Sequence, residues 1–181
     1  MCSRTLAGVS GICRRCCVPY TRAWCIGERH EALQNLIGSY KFTNAKAGYR
    51  ALADLLDTGL PQLPSSVVVV PIPTIPSHVR QRGYDHTRLI TREFAKRRGL
   101  SSQSLLERTT HTKQRGATRA VRLKQAKRAF VCNRELDADA IYLVVDDVVT
   151  TGATIRYAAK TLRDAGASTV WVASLSRQTL D

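Results

Sequence analysis

The chain has 181 residues, 44% of them hydrophobic, and a formal net charge of +14 at pH 7. That length is one domain's worth with room for a small accessory module, and the apolar content can supply a core. No apolar run approaches the roughly 18 residues a membrane span needs, and the first residues carry no signal-peptide core, so a cytoplasmic protein without membrane association is expected.

Residues 1–27 form a Cys-rich segment without periodicity, set apart from a main domain over residues 28–181. Of six cysteines, five (Cys2, Cys13, Cys16, Cys17 and Cys25) fall in the first 25 residues, and Cys132 stands alone. Cys13-x-x-Cys16 has zinc-ligand spacing, and in a cytosolic chain such clustering favours metal over disulfide. A second C-x-x-C is missing, because Glu28 stands three positions after Cys25. The candidate set for a structural zinc, a degenerate knuckle, is Cys2, Cys13, Cys16 and Cys25, with Cys17 as a substitute.

Glu31–Phe42 carries Leu33, Leu36, Ile37 and Tyr40 at helical spacing. A second helix is expected at about Lys46–Leu56, with Tyr49, Leu52, Ala53 and Leu56 on one face. Pro61 and Pro64 mark the loop beyond it, and Val67–Val70 reads as a buried strand running into Pro71-Ile72-Pro73-Thr74. A helix is predicted from Asp85 to Arg98, with Leu89, Ile90 and Phe94 inward and Gly99 as its stop. Ser104-Leu105-Leu106 reads as a short strand. Ile141–Val145 is a strand, Thr151–Ala165 a helix closed by Gly166, and Thr169–Leu175 a further strand. Strands alternating with helices argue an α/β fold with a mainly parallel, doubly wound sheet.

Residues 143–154, LVVDDVVTTGAT, carry the most chemistry. A β-branched run delivers two adjacent carboxylates, Asp146 and Asp147, and a Thr-Gly loop at Thr150, Thr151, Gly152, Ala153 and Thr154 opens a helix. Backbone N–H groups at a helix start suit a phosphate, Gly152 permits close approach, and threonine hydroxyls add donors. Acids beside a phosphate cradle fit sugar hydroxyls, so the pattern suits a phosphorylated ribose. Paired acids also end receiver-type and Walker B strands, but two acids, two apolar residues and Thr-Thr-Gly-Ala-Thr form a narrower pattern. The run resembles the phosphoribosyl diphosphate (PRPP) motif of type I phosphoribosyltransferases.

The charge is uneven. From residue 76 to 130 there are fifteen Lys/Arg against three acids (Asp85, Glu93, Glu107). Residues 108–130 are polar and weakly patterned, long enough for a functional lid over a polyanionic substrate. The same segment could neutralise nucleic-acid phosphates, or be a solvated face.

Two further stretches resemble the ComF-type competence family, which contains phosphoribosyltransferase-like proteins. Pro71-Ile72-Pro73 followed by Arg80-Gln81-Arg82-Gly83-Tyr84 looks like that family's PVP…RQRGFNQ segment. The spacing Gln114…Arg122…Gln125…Ala129-Phe130 is similar to its TxxQ…RxxN…AF segment, and Leu36-Ile37…Tyr40-Lys41-Phe42 to its helix before the first core strand. The likeness covers about residues 31–175. Asp85-His86 stands where the family has Asn-Gln, His111 where threonine is expected, and Gln125 where Asn is usual.

The resemblance implies a type I phosphoribosyltransferase fold, a Rossmann-like sheet flanked by helices with a basic lid. It implies PRPP with Mg2+ as ligand and transfer of phosphoribose to an unidentified base or amine. Thr150–Thr154 would hold the 5′-phosphate, and Asp146 and Asp147 would accept from the two ribose hydroxyls. Magnesium would sit between those hydroxyls and the diphosphate. Pro73 and Thr74 look like the family's diphosphate loop, with Arg80 and Arg82 as neutralising cations, and Lys113, Gln114, Arg115 and Arg122 belong to the lid. Hypoxanthine-guanine enzymes carry an acid where Thr150 stands, and a threonine cannot be a general base at neutral pH. Orotate-type enzymes tolerate threonine there.

His86 reads as a surface or capping histidine, Trp24 and Trp171 as packing residues, and Tyr84 beside Arg82 as a candidate ligand contact. The alternative function is a non-catalytic accessory factor in DNA uptake that binds single-stranded DNA through the basic surface. Oligomeric state is open, with a homodimer as one candidate.

Overall fold

A computed structural model describes residues 17–28, 31–42, 46–109 and 129–177. The main sheet has five strands: β1 (Arg22–Glu28), β2 (Val67–Pro71), β3 (Ser101–Ser102), β6 (Ile141–Val149) and β7 (Thr169–Arg177). Their order across the sheet is β1-β7-β6-β2-β3, and every pairing is parallel. Two-residue strands β4 (Glu107–Arg108) and β5 (Phe130–Val131) pair antiparallel in a separate ribbon.

The helices are α1 (Glu31–Phe42), α2 (Tyr49–Gly59, after a 3-10 turn at Lys46–Gly48), α3 (Pro76–Arg82), α4 (His86–Arg97) and α5 (Ala153–Asp164). Strand alternation divides the core into two layers. Leu143 and Val145 point with Val67, Val69 and Leu175 into a cluster completed by Tyr40, Leu52, Leu56 and Phe94. Tyr142 and Val144 point the other way, with Val170 and Val172, against Ile155, Ala158 and Leu162 of α5. The sheet is thus covered on both faces, as a parallel sheet of β-branched strands requires.

Connectivity places the functional crevice. From β2 the chain crosses through α4 to β3 on one side, and from β6 through α5 to β7 on the other. The direction of winding reverses between β2 and β6, and ligands of open α/β sheets bind at the carboxyl ends of strands at such a point.

Several expectations need correction. Residues 22–27, assigned from sequence to the Cys-rich segment, form β1 together with Glu28, and the strand pairs with β7 from Arg22↔Trp171 to Glu28↔Arg177. The boundary at residue 27 therefore cuts through a strand of the main sheet. Helix α3 was not foreseen; it buries no residue, so it has no apolar stripe to read, and it is defined by Pro76 in its first turn and Gly83 (φ 77°) at its end. The short strand lies at Ser101–Ser102 and not at 104–106, where Leu105 and Leu106 are buried outside any strand. The motif strand runs four residues further than Val145, carrying both acids within it. Cys2, Cys13, Cys16, Lys113, Gln114, Arg115 and Arg122 lie outside the described residues.

Candidate functional site

The carboxyl ends of β2 and β6 border a cavity of about 710 Å³. Pro73, Thr74 and Ile75 line it from the loop after β2, Arg82 and His86 from α3 and α4, and Arg108 from β4. Asp146, Asp147 and Thr154 complete the opposite wall. Acids, cations and hydroxyls thus converge at the reversal point that the topology singles out.

The two acids do not act as a matched pair. Successive residues of a strand point to opposite faces, so Asp147 follows Leu143 and Val145 towards α4 while Asp146 points to the α5 side. Asp147 is 6% exposed. Its Oδ2 lies 2.7 Å from His86 Nε2, and its Oδ1 accepts from the Val148 N–H at 2.6 Å. Asp146 is half-buried, and its Oδ1 accepts from the Asp147 N–H at 3.0 Å. Asp146 is therefore the more accessible acid.

His86 is a correction of the sequence reading. It is neither a surface nor a capping residue but buried at 7% exposure, with Nδ1 2.9 Å from Thr74 Oγ1 and 3.3 Å from Arg82 Nη1. The cap of α4 is Asp85, whose Oδ1 accepts from the Arg88 N–H at 3.1 Å. Asp85 also accepts from Thr74 twice, from its backbone N–H at 3.1 Å and its hydroxyl at 2.8 Å. One carboxylate thus starts the helix and pins the loop after β2. Tyr40 closes the inner side: its hydroxyl donates to the His86 carbonyl at 3.0 Å, and burial pushes that hydroxyl's pKa far up.

Arg108 was not singled out from sequence. Its Nε donates to the Pro73 carbonyl at 2.6 Å, and its guanidinium lies 4.9 Å from the Phe130 ring centre. Burial lowers its pKa, while the charges of Asp146 and Asp85 oppose that shift. A guanidinium remains charged under such conditions and offers forked donors to an anion.

The other expected residues divide. Arg82 lines the cavity, whereas Arg80 is exposed on α3 and does not. Of the Thr-Gly loop, Thr154 reaches the cavity; Thr150 is exposed, and Thr151 and Ala153 border a second hollow of about 500 Å³ with Arg156 and Lys160. Gly152 adopts φ 71° as the residue before α5, a left-handed conformation that suits glycine. Tyr84 packs instead of lining the cavity: its hydroxyl donates to the Tyr40 carbonyl at 2.6 Å and its ring lies 5.6 Å from that of Tyr40. Trp24 and Trp171 pack edge to face with centres 5.6 Å apart. Cys25 lies on β1, its thiol donating to the Gly27 carbonyl at 3.2 Å. Among the described residues there is no cluster of three His, Cys, Asp or Glu arranged to hold a metal, and no helix long and apolar enough to cross a membrane.

No family model matches the chain. It is 32% identical over 167 residues to Competence protein F of Haemophilus influenzae, covering 84% of this chain and 71% of the relative. It is 33% identical over 180 residues to DNA utilization protein YhgH of Salmonella typhi, covering 91% and 77%. The protein of the same name from Salmonella typhimurium is 32% identical over 191 residues, covering 97% and 82%. Among solved structures, the allosteric regulatory enzyme of purine biosynthesis aligns at a TM-score of 0.47 and 20% identity, over 70% of this chain and 25% of that one. Nothing about activity is transferred at that level of likeness.

Proposed function

This chain belongs to the family of Competence protein F, and on that footing we propose that its cavity binds PRPP with magnesium and serves transfer of phosphoribose to a base or amine. One observation carries the reading. At the point where the sheet's winding reverses, a carboxylate strand end faces a loop and two guanidinium groups, Arg82 and Arg108, across a single cavity. A ligand matched to that wall has hydroxyls at one end and a polyanion at the other.

Asp146 accepts from a ribose hydroxyl, and Asp147, already held by His86 and the Val148 N–H, adds the remaining lone pairs of its two oxygens. Thr154 and the amides after Gly152 take the 5′-phosphate at the start of α5. The diphosphate lies towards Pro73, Thr74, Arg82 and Arg108. The described residues offer no cage for a resident magnesium. A hard cation that keeps several waters therefore arrives on the diphosphate oxygens, as part of the substrate. As the C1′–O bond breaks, the diphosphate leaves with the electron pair and the sugar carbon becomes oxocarbenium-like. The two guanidinium groups stabilise the charge growing on the leaving group, and the acceptor's nitrogen closes on C1′ while its N–H proton passes to solvent water.

Titration calorimetry with Mg–PRPP tests the binding, and a pyrophosphate-release screen across bases and amines tests the transfer. An absence of heat with Mg–PRPP, together with an Asp146→Asn variant that behaves as the parent, would remove the reading.

A second reading has its own support. Two relatives are named DNA utilization proteins, and the stretch from residue 76 to 130 is strongly basic. A non-catalytic role in DNA uptake would show as single-stranded DNA affinity that falls steeply with salt and is lost on charge removal at Lys113, Arg115 and Arg119. Weak, salt-insensitive binding would end it.

A further inference from the structure

We propose that one side of α1, carrying Asn35 and Gly38, is the subsite for the acceptor, and that it selects a planar, uncharged nitrogen heterocycle over an aliphatic amine. The word acceptor rests on the phosphoribose reading. The subsite itself follows from a wall of the cavity to which that reading gives no role.

Asn35, Gly38 and Ser39 line the cavity from α1. At i, i+3 and i+4 they share one side of the helix. Ile37 and Tyr40 anchor that helix in the core, and the Tyr40 hydroxyl donates to the His86 carbonyl at 3.0 Å. Because His86 Nε2 lies 2.7 Å from Asp147 Oδ2, the wall is held in a fixed relation to the acid end of β6. Gly38 stands well inside the twelve residues of α1, although glycine is a poorer helix former than any residue but proline. It is not among the glycines of positive φ, and a Cβ built on it would meet no atom within 4 Å. Neither backbone conformation nor packing calls for glycine at this position. A bare stretch of helix does let a ligand approach the backbone closely, and a flat ring can lie against it.

The chemistry around Gly38 suits such a ring. Asn35 is exposed, and its amide offers donors and an acceptor side by side, the match for a ring edge that carries an N–H next to a lone pair. Ile75 lines the same cavity from the loop after β2; at 44% exposure it is one of two large hydrophobic side chains so exposed among the described residues. Apolar surface with a few placed polar groups is how small-molecule sites hold and orient a ring. An aliphatic amine is a cation at neutral pH. Among the described residues no carboxylate of α1 lines the cavity, and its two acids, Asp146 and Asp147, stand on β6 and are given to the sugar. A neutral ring therefore finds partners on α1 that an ammonium does not.

The test uses the full chain with adenine, hypoxanthine, uracil and nicotinamide as ring probes and ethylamine as the contrast. Saturation-transfer NMR titrations are run on each, with and without Mg–PRPP, beside calorimetry with Mg–PRPP alone. At least one ring should bind and ethylamine should not. Asn35→Ala should weaken the ring about tenfold, the weight of a lost hydrogen bond, and narrow the differences among the rings. Gly38→Ala should raise the urea midpoint, because alanine is the better helix former, and at the same time weaken the ring. Gly38→Leu should abolish ring binding with helical circular dichroism unchanged. A merely structural glycine would not set stability and binding against each other in this way. No ring bound in either condition, binding of ethylamine alone, or equal ring affinity in the parent, Gly38→Ala and Asn35→Ala would overturn the proposal. Ring binding without Mg–PRPP heat would remove the phosphoribose reading and leave the subsite standing; heat without ring binding would do the reverse.

Discussion

Arg108 donates through Nε to the carbonyl oxygen of Pro73 at 2.6 Å, and so joins the base of the β4–β5 ribbon to the loop after β2. The remaining guanidinium donors are on a residue that lines the cavity. Arg108→Gln should lower Mg–PRPP affinity at least about tenfold, the weight of one lost charged hydrogen bond of roughly 1.5–3 kcal/mol. Arg108→Lys should recover little of it, because an ammonium cannot hold Pro73 and an anion in the same fork. Calorimetry on the three proteins decides; full recovery by lysine would mean that only net charge matters.

The two acids should separate in their effects. Asp147→Ala leaves the buried His86 Nε2 and the Val148 N–H without their carboxylate partner and should cost about 1–3 kcal/mol of folding stability, read from urea unfolding. Asp146→Asn, on a half-buried side chain, should change stability by less than about 1 kcal/mol yet remove ligand binding. Matching stability losses in the two variants would contradict the opposite-face arrangement of the strand.

Asp85 joins a helix start to the diphosphate-side loop. Asp85→Ala removes the cap of α4, worth about 1 kcal/mol, and both bonds from Thr74. Asp85→Asn should restore much of the cap but not the charged pairing with Thr74. Thermal unfolding should therefore rank the parent above Asn and Asn above Ala, while ligand affinity drops in both variants.

Tyr40 sets an alkaline limit. Burial comes first, with the neighbouring charges of Tyr84, Asp85 and Asp147 adding to it, in raising its hydroxyl above the ordinary tyrosine value of about 10. Below that value the hydroxyl is neutral in folded and unfolded chains, and its contribution is fully present. Above it the unfolded chain gives up the proton first, so stability drains as pH climbs towards the folded value. Urea midpoints between about pH 8 and 11 should fall more steeply for the parent than for Tyr40→Phe. Phe itself should cost about 1 kcal/mol at neutral pH, for the lost bond to the His86 carbonyl. Parallel slopes would assign the alkaline loss elsewhere.

Elements with a strong apolar pattern were legible. Helix α1 falls on its expected bounds, and the valine run of β2 and the strand carrying the acids are where the sequence places them. What escaped was structure without such a pattern: α3 buries nothing, β3 is two exposed serines, and β1 sits among cysteines that invite a metal reading. In the site, the acids and Thr154 follow from one contiguous stretch. His86 and Asp147 are 61 positions apart, so no local spacing announces them. The departure from Asn-Gln to Asp85-His86 was the available signal, since two polar residues changed together where the chain enters α4. Arg108 is hidden by its company, one cation among fifteen between residues 76 and 130.

Thr21 donates its backbone N–H to Val170 across 149 positions of sequence, just before β1 settles beside β7. On a ribosome, which adds roughly 5–20 residues each second, Trp24 and Ile26 wait beside an unpaired strand until β7 has been made. Pairings that span so much chain close slowly. Newly made molecules should therefore be most prone to clump in the interval before β7 emerges, with the β1 segment as the adhesive part.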